Sequence, residues 1–349
     1  MWRFFMHKSY LSFFMVAVLL GILSSCAGVL SCSNESKAGK ESFTILNWNL
    51  ETFFDATFDG NEYTEFKNGK SGWSREKYET RLDRLVSVIK ALDADLLVFE
   101  ELEKEEQLYD ISNRLSGTFN FSKLYSHAFF AADKNSSIGC AILSRLPIGE
   151  ISLHSIDVRT SESDQPAMRP IIQFSVFAGG QAEKKLVVFA NHWKSKAGDT
   201  GGESAAWRLR QEEVLTRCMQ SVLEKSNLPV LACGDFNMDI LEFSQYEKVA
   251  GSRANLLLRS SDKIAGGGLP VYSPWFDSQG NLTEPGSYWY NDKWERIDNF
   301  FCAGEVMLSS FSASTNGPWA TSTGKPVRYQ MYNGAGYSDH LPLVCTVSF

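Results

Sequence analysis

The sequence predicts an α/β sandwich, in which two β-sheets pack face to face and helices cover their outer sides. Of the 349 residues, 44% are hydrophobic and 21% are charged, a composition typical of a globular protein rather than a disordered one. Short runs rich in β-branched and aromatic residues recur along the chain, whereas few segments have helical periodicity. Many strands with few helices are typical of packed sheets.

Eight strand-like runs follow one another, most of them bounded by Gly, Pro, Asn or Asp. They are Phe43–Asn47, Asp95–Phe99, Ala141–Leu143, Ile171–Val176, Leu186–Ala190, Pro229–Ala232, Ile297–Cys302 and Leu343–Phe349. A helix is predicted after Ser74, whose hydroxyl can cap it, because apolar residues recur at helical spacing from Leu82 to Leu92. A second helix is predicted over Glu203–Glu224. No fixed repeat and no composition shift indicates a second folded domain.

The first 25 residues have the features of an export signal. Two basic residues precede an apolar run over residues 11–23, which is shorter than the ~20 residues of a membrane-spanning helix. The sequence LSSC at residues 23–26 resembles the lipobox of bacterial lipoproteins, in which the cysteine is acylated, so Cys26 is the expected lipidation site. Cys32 is a second, poorer candidate, and a plain cleaved signal is the alternative.

This interpretation divides the chain into a signal peptide (1–25), a flexible polar tether (26–42) and one folded domain (43–349). The domain is expected to be exported and held by its lipid at a membrane of the cell envelope, on the periplasmic or cell-surface face. Removal of residues 1–25 takes away Arg3 and Lys8 but no acidic residue, so the net charge changes from −7 to −9. Such an acidic domain is not expected to hold nucleic acid by bulk electrostatics, although an enzyme can meet phosphate through a metal ion.

Five further cysteines lie in the folded domain without CxxC spacing: Cys140, Cys218, Cys233, Cys302 and Cys345. Four of them stand in apolar runs, which predicts buried free thiols. One structural disulfide is the alternative in an exported protein.

Polar clusters stand where the predicted strands begin or end. They are NWNLE at 47–51, EE at 100–101, NHWKSK at 191–196, GDFN at 234–237, RIDN at 296–299 and SDH at 338–340. Each cluster alone is explained by a turn or a helix cap. Six of them at strand ends could converge on one end of a sandwich, where loops build sites on a rigid scaffold.

In this order the clusters resemble those of the endonuclease/exonuclease/phosphatase superfamily. That superfamily includes DNase I-like nucleases, abasic-site endonucleases, bacterial sphingomyelinases and inositol-polyphosphate phosphatases. The resemblance runs from NWN near Phe43 to SDH near the C-terminus, and GDFN and SDHLP are its most specific pieces. It implies a hydrolase of phosphoester bonds with a four-layered, DNase I-like α/β sandwich and a site at one edge of the two sheets.

The resemblance implies a catalytic role for five residues. His340 is the expected general base, since imidazole accepts a proton near neutral pH, and Asp298 is the carboxylate that orients it. Asp235 and Asn237 of GDFN would position the nucleophilic water and a phosphate oxygen. His192 would hydrogen-bond the scissile phosphate and, if protonated, would stabilise developing charge.

The resemblance also implies a site for Mg²⁺ or Mn²⁺, with Glu101 as the principal ligand and Asn49 and Asp339 beside it. Such a cation prefers one or two carboxylates plus water and substrate phosphate. Most members of the superfamily have Gln immediately before this glutamate, whereas this chain has Glu100, which leaves the ligand assignment slightly open. Glu51 stands where some relatives carry another acidic ligand.

Four residues are candidates for substrate binding. Arg169 resembles a superfamily position that contacts phosphate. Lys194 and Lys196 could hold further phosphates of a polymer, and Trp193 could stack on a base. The alternative for this NHWKSK segment is a solvated loop with a tryptophan packed at its edge.

The expected function is therefore an exported, metal-dependent phosphodiesterase, in the first place a nuclease that hydrolyses DNA or RNA by attack of a His-activated water. The first alternative is a sphingomyelinase-like enzyme acting on a phospholipid or a small phosphoester. No long exposed apolar hairpin supports it, and residues 269–289 are the nearest candidate. A catalytically dead binding lipoprotein is the third hypothesis, and the complete set of catalytic residues argues against it.

Overall fold

The computed structural model of the protein describes residues 42–67, 72–159, 164, 166–178, 183–197, 202–245, 256–258 and 268–349. The predicted signal peptide, the candidate lipidation site Cys26 and nearly all of the predicted tether lie outside these residues. Within the described ranges, no helix is both long and apolar enough to cross a membrane.

The described residues form fifteen strands and four α-helices. The strands are β1 (Ser42–Phe53), β2 (Leu96–Leu102), β3 (His127–Ala131), β4 (Gly139–Ser144), β5 (Ile148–His154), β6 (Ile171–Ala178), β7 (Glu183–His192), β8 (Val230–Asp235), β9 (Leu256–Leu258), β10 (Leu269–Val271), β11 (Tyr288–Tyr290), β12 (Lys293–Glu295), β13 (Asp298–Ala303), β14 (Met307–Ala313) and β15 (Leu343–Ser348). The helices are α1 (Arg75–Leu92), α2 (Glu106–Ser116), α3 (Glu203–Ser226) and α4 (Ile240–Gln245). All eight predicted strands and both predicted helices are present.

Two mixed sheets make the architecture. The first has the strand order β14-β15-β1-β2-β4-β3, and the second has the order β13-β8-β7-β6-β5. Strands β1 and β2 of the first sheet pack on β7 and β8 of the second. Two ribbons of two strands each, β9 with β10 and β11 with β12, complete the pairing. The predicted sandwich of two sheets with helices is confirmed.

The hydrophobic core lies between the sheets and is rich in phenylalanine. Phe99 of β2, Phe189 of β7 and Phe300 of β13 are all fully buried. Strand β8 is buried along its whole length. Because both faces of such a central strand are covered, its sequence is a continuous apolar run rather than an alternating one.

Helix α1 begins as predicted. Ser74 has an extended backbone, and its side chain accepts a hydrogen bond from the backbone N–H of Lys77 at 3.3 Å. The helix ends at Leu92, and the next residue, Asp93, adopts the left-handed conformation common after helices. Its buried face carries Leu82 and Ile89 and also Arg81, a charged residue in the interior.

The five cysteines in the described part of the chain are free thiols, and all except Cys218 are buried. Burial raises the pKa of Cys140 and of Cys345 above the usual thiol value. These thiols are therefore packing residues rather than nucleophiles.

Candidate active site

Several strand ends meet at one edge of the sandwich. Strands β1 and β2 are parallel, and so are β7 and β8, so each pair ends on one side. Strand β13 is antiparallel to β8, which places its first residue, Asp298, directly opposite Asp235, the last residue of β8. His192, at the end of β7, lies opposite Asp235 on the other side. Sheet order thus brings together residues that are distant in sequence.

These strand ends surround a cavity of about 440 Å³. The predicted site residues that line it are Asn49, Glu101, Lys196, Asp235, Asn237, Asp339 and His340. Two further predicted residues, Asp298 and His192, lie behind this lining and contact it. All eight predicted catalytic and metal-binding residues therefore gather at one place.

His340 and Asp298 form a buried pair. Nδ1 of His340 lies 2.8 Å from Oδ2 of Asp298, and that oxygen also accepts a hydrogen bond from the hydroxyl of Ser287 at 2.6 Å. Burial lowers the pKa of His340, but the carboxylates of Asp298, Asp339 and Asp235 outweigh it and raise this pKa well above its usual value. This is the arrangement of a base held by an orienting carboxylate.

The backbone of His340 is anchored to β1. The indole N–H of Trp48 donates to the carbonyl of His340 at 2.9 Å. The hydroxyl of Ser338 donates to the carbonyl of Asn49 at 2.7 Å and accepts from the backbone N–H of His340 at 3.0 Å. The ring of Tyr288 packs on the imidazole with centroids 4.7 Å apart. The imidazole is thus fixed before any substrate binds.

Asp235 is held by two asparagines. Its Oδ2 accepts from the side-chain amides of Asn49 at 3.0 Å and Asn237 at 3.1 Å, and its Oδ1 accepts from the backbone N–H of Asn237 at 2.8 Å. Burial and the nearby charge of Asp298 raise the pKa of Asp235 to about 7. The buried Asp235 carboxyl therefore lies close to a second carboxylate, that of Asp298.

Gly234 is required by the close approach of β8 to β7. Its φ is +141°, and a Cβ at this position would lie 1.9 Å from the carbonyl oxygen of Asn191. A side chain is excluded on both grounds. The glycine of GDFN is therefore part of the structure that places Asp235.

Glu101 lies at a bulge where the pairing of β1 and β2 shifts register. Its φ is +69°, and Glu51 and Thr52 on β1 are also left-handed, at +53° and +51°. The Glu101 carboxylate accepts hydrogen bonds from the backbone N–H of Thr52 at 2.5 Å and from the amide of Asn49 at 3.2 Å. Bulges and left-handed residues are strained, and here they position a carboxylate in the cavity.

Glu100, the neighbour that departs from the superfamily pattern, is fully buried. Its Oε1 accepts from the amide of Asn47 at 2.6 Å, and burial followed by the charges of Asp298 and Asp235 raises its pKa well above the usual value. Of the two glutamates, Glu101 lines the cavity and Glu100 lies in the interior.

His192 directs its Nε2 toward the carboxylates, 3.6 Å from Oε1 of Glu101 and 3.9 Å from Oδ2 of Asp235. Burial, with a contribution from Arg169, lowers the pKa of His192 well below its usual value. The imidazole is therefore neutral near pH 7, and the protonated form considered from sequence is disfavoured.

The predicted stacking of Trp193 on a base is wrong. Trp193 is fully buried, its indole N–H donates to the side chain of Asn191 at 3.0 Å, and its ring packs edge-on against Phe236. Arg169 also needs correction as a phosphate contact. Its guanidinium donates to the backbone carbonyls of His192 and Trp193 and lies outside the cavity lining, so it supports the chain that carries His192.

The two lysines of the same segment differ in position. Lys194 lies outside the cavity lining, and its Nζ is 5.5 Å from the ring centroid of Trp207. Lys196 lines the cavity and pairs with Glu242 at 2.5 Å. Of the four predicted substrate-binding residues, Lys196 alone is placed to face a substrate.

Arg328 was not anticipated from sequence. Its Nε donates to Glu51 at 2.6 Å, and its guanidinium lies 3.7 Å from Asp339 at the cavity wall. Burial and the charge of Asp339 raise the pKa of Glu51 to about 7, and Arg328 opposes that increase. Arg328 precedes the SDH cluster in a stretch of loops, where no periodicity signals its role.

Arg81 was also missed. Its fully buried guanidinium donates to the carbonyls of Leu50 at 2.6 Å and Thr52 at 2.9 Å, and also to that of Glu51. The ring of Tyr329 covers it at 3.9 Å. Arg81 therefore clamps the bulge of β1 that supplies the Thr52 N–H to Glu101.

The residues at the cavity fit a divalent cation. Asp235, Asp298 and His340 offer ligand atoms within 4.8 Å of one another, a buried group consistent with a metal site. Glu101 and Asp339 add carboxylate oxygens to the same cavity. Oxygen donors suit Mg²⁺ and Mn²⁺, and a cation would offset the charge of Asp298 that, after burial, contributes to the raised pKa of Asp235.

Comparisons with known proteins agree with this geometry. The sequence profile described as the Endonuclease/Exonuclease/phosphatase family matches residues 44–348. Nocturnin of Xenopus laevis is 25% identical over 328 residues, which cover 91% of this chain and 75% of that protein. The human Nocturnin catalytic domain with bound sulfate has a TM-score of 0.53 at 17% identity, over 88% of this chain and 93% of that one. D. rerio TDP2 complexed with a single-strand DNA product has a TM-score of 0.53 at 16% identity, over 88% and 99%. These structures identify a DNase I-like fold.

Proposed function

The chain belongs to the endonuclease/exonuclease/phosphatase family and is a hydrolase of phosphoester bonds, and we propose that it is a metal-dependent phosphodiesterase that cleaves nucleic acid. One observation carries the chemistry. The imidazole of His340, 2.8 Å from Asp298, shares a cavity with Asp235, Asn237 and Glu101. A base, its orienting carboxylate and an acidic wall thus face one reacting centre.

The roles of the residues follow from their hydrogen bonds. His340 is placed to accept the proton of the attacking water at Nε2, because Asp298 engages Nδ1 and a bound cation would offset the carboxylate charges that raise the pKa of His340. Asp235 and Asn237, which are hydrogen-bonded to each other, orient that water and a phosphate oxygen. His192, buried and neutral, donates from Nε2 to the phosphate.

Glu101, Asn49 and Asp339, which share the cavity with Asp235 and His340, are the residues that would hold Mg²⁺ or Mn²⁺, because His340 and Asp298 of the buried group already bond to each other. When bound, the cation neutralises charge on the phosphoryl oxygens and stabilises the leaving oxygen. Glu101 enters this role already fixed by the Thr52 N–H and the Asn49 amide.

A nucleic acid substrate is supported by the cavity wall and by one relative. Lys196 and Arg328 add cationic groups, and Tyr288 and Tyr290 add aromatic rings. D. rerio TDP2, which shares the fold, has been crystallised with a single-strand DNA product. The sphingomyelinase-like alternative gains nothing from the structure. In its candidate hairpin, residues 269–289, Trp275 is fully buried and its indole donates to the carbonyl of Asp298 at 2.9 Å.

The test is hydrolysis by the full-length protein in mild detergent. Single-stranded DNA, duplex DNA, RNA and sphingomyelin are supplied in parallel, with Mg²⁺, Mn²⁺ or EDTA. We expect cleavage of nucleic acid with either cation, none in EDTA, and a loss of about 10²–10⁴-fold in kcat for His340→Ala. Hydrolysis of sphingomyelin alone would change the substrate assignment. Inactivity toward every phosphoester would refute the proposed enzymatic activity. An unchanged rate for His340→Ala would refute the assigned base.

A further inference from the structure

The ribbon of β11 and β12 presents two different aromatic faces. Tyr288 and Tyr290 line the active-site cavity, with near-parallel rings whose centroids lie 6.0 Å apart at 15°. Trp289, between them, points the other way and packs on Trp294, while the Nζ of Lys325 sits 3.6 Å from its ring centroid. Because successive side chains of a strand point to opposite faces, Trp289 packs on one face of the ribbon while Tyr288 and Tyr290 line the active-site cavity on the other. We call the face that carries these two tyrosines the phenol face.

The phenol face starts at the general base. Tyr288 pairs with His340 through a backbone bridge, and its ring covers the imidazole. Tyr290 lies two residues further along β11 on the same face, and it is 53% exposed. A large aromatic ring this exposed adds little to core packing, and in the wall of the active-site cavity it is accessible to a ligand.

Cations flank this aromatic face. Arg328, whose side chain is 67% exposed, lines the same cavity beside Asp339, and Lys196 lines it as well. Aromatic rings next to basic side chains are the combination that binds single-stranded nucleic acid, with bases on the rings and phosphates on the cations. Acyl chains would call for a broader apolar surface than one phenol face among charged groups.

We infer that Tyr290 is a stacking platform for the base of a nucleotide adjacent to the scissile phosphate. This inference rests on the proposed function and assigns that site a substrate class, single-stranded nucleic acid with an intact base next to the cleaved bond. Because every base has a π-face, the platform tolerates any sequence. Tyr290 takes over the stacking role that the buried Trp193 cannot perform.

The experiment compares three substrates with the same phosphates. One is a single-stranded oligonucleotide that the full-length protein cleaves at a mapped bond, and the other two carry an abasic residue on the 5′ or the 3′ side of that bond. On the intact oligonucleotide, Tyr290→Ala is expected to lower kcat/KM about 5- to 150-fold, the range found for loss of one base stack. On the abasic substrate that removes the stacked base, the same variant is expected to change kcat/KM less than twofold.

Two controls separate stacking from structural damage. Tyr290→Phe keeps the ring and is expected to retain activity on the intact and abasic substrates. Tyr109→Ala removes another exposed tyrosine, 64% exposed on α2 and outside the cavity lining, and is expected to change neither rate.

An equal loss for Tyr290→Ala on intact and abasic substrates would overturn the inference, because it would show a structural role. No loss on either would overturn it as well. If the unaltered protein cleaved no nucleic acid at all, the proposed function itself would fail, so the two failures are distinguishable.

Discussion

Replacement of Arg81 by lysine tests how the metal-binding carboxylate is positioned. Arg81 is buried beneath the bulge of β1 and donates to three consecutive carbonyls, those of Leu50, Glu51 and Thr52. Lysine keeps the charge but is a point donor without a planar fork, so it cannot span three acceptors. The bulge is then released, and with it the Thr52 N–H that binds Glu101.

The magnitude follows from the hydrogen bonds lost. Hydrogen bonds to charged groups contribute about 1.5–3 kcal/mol each. Loss of two of the three bonds of Arg81 corresponds to an expected destabilisation of at least about 3 kcal/mol, and the stronger hydration of the ammonium adds to the cost of burying it. Loss of the single bond to Glu101 corresponds to about 1.5 kcal/mol at the lower end of this range, or roughly a tenfold rise in the Mg²⁺ concentration for half-maximal activity.

The assay combines urea unfolding with titration of activity by Mg²⁺ and direct Mn²⁺ binding followed by electron paramagnetic resonance. Arg84→Lys is the matched control. Arg84 lies on the same helix and also donates to backbone carbonyls, those of Gly334 and Gly336, but it makes no contact with β1 carbonyls. We expect high Mg²⁺ to rescue Arg81→Lys, and we expect Arg84→Lys to need no such rescue.

Equal Mg²⁺ dependence in the two variants would refute the reasoning, since the effect would then reflect general loosening of α1. An unchanged Mn²⁺ affinity in Arg81→Lys would refute it more directly.

Three other outcomes are expected. Gly234→Ala should lower the free energy of unfolding by more than about 3 kcal/mol, because its Cβ would meet the Asn191 carbonyl at 1.9 Å; a stable variant in urea unfolding would contradict this. Glu212 is buried with its pKa raised from 4.5 to about 7 by desolvation, although the Leu256 N–H opposes this. The native protein thus keeps a proton that the unfolded chain releases, and stability should fall by about 3 kcal/mol as pH rises from 4.5 to 7. Glu212→Gln should abolish that part of the fall, and parallel stability–pH curves for the two proteins would exclude it. Cys26→Ser should abolish incorporation of labelled palmitate and release the protein from membranes, whereas persistent labelling would exclude Cys26 as the acylated residue.

The elements that sequence predicted are those whose signal is local. The strands around Phe99 and Phe189 are continuous apolar runs because both of their faces are covered. Helix α1 carries a capping serine and a regular apolar stripe. Helix α2 escaped prediction because the residue before it, Glu105, provides no side-chain cap. The edge strand β5 escaped because it is mostly exposed and lacks an apolar run.

At the site, errors arose where burial could not be read from residue type. Trp193 follows a strand among polar residues, and only packing against Phe236 shows that it turns inward. Arg81 had a detectable signal, since it lies four residues before Leu85 on the apolar face of α1. A charged residue on such a face requires a buried partner, which the neighbouring carbonyls provide.

The sequence by itself determined the fold class, the family resemblance and the residue types of the site, because hydrophobic periodicity and short motifs are properties of neighbouring residues. Only the tertiary structure decided which atoms meet. Asp298 and His340 are 42 residues apart, and Asn49 and Asp235 are 186 apart, yet both pairs are in hydrogen-bond contact. Such contacts depend on strand order and on the bulge that turns Glu101 into the cavity. The pKa of each group in turn depends on how deeply these contacts bury it. These are properties of packed sheets and not of any one segment.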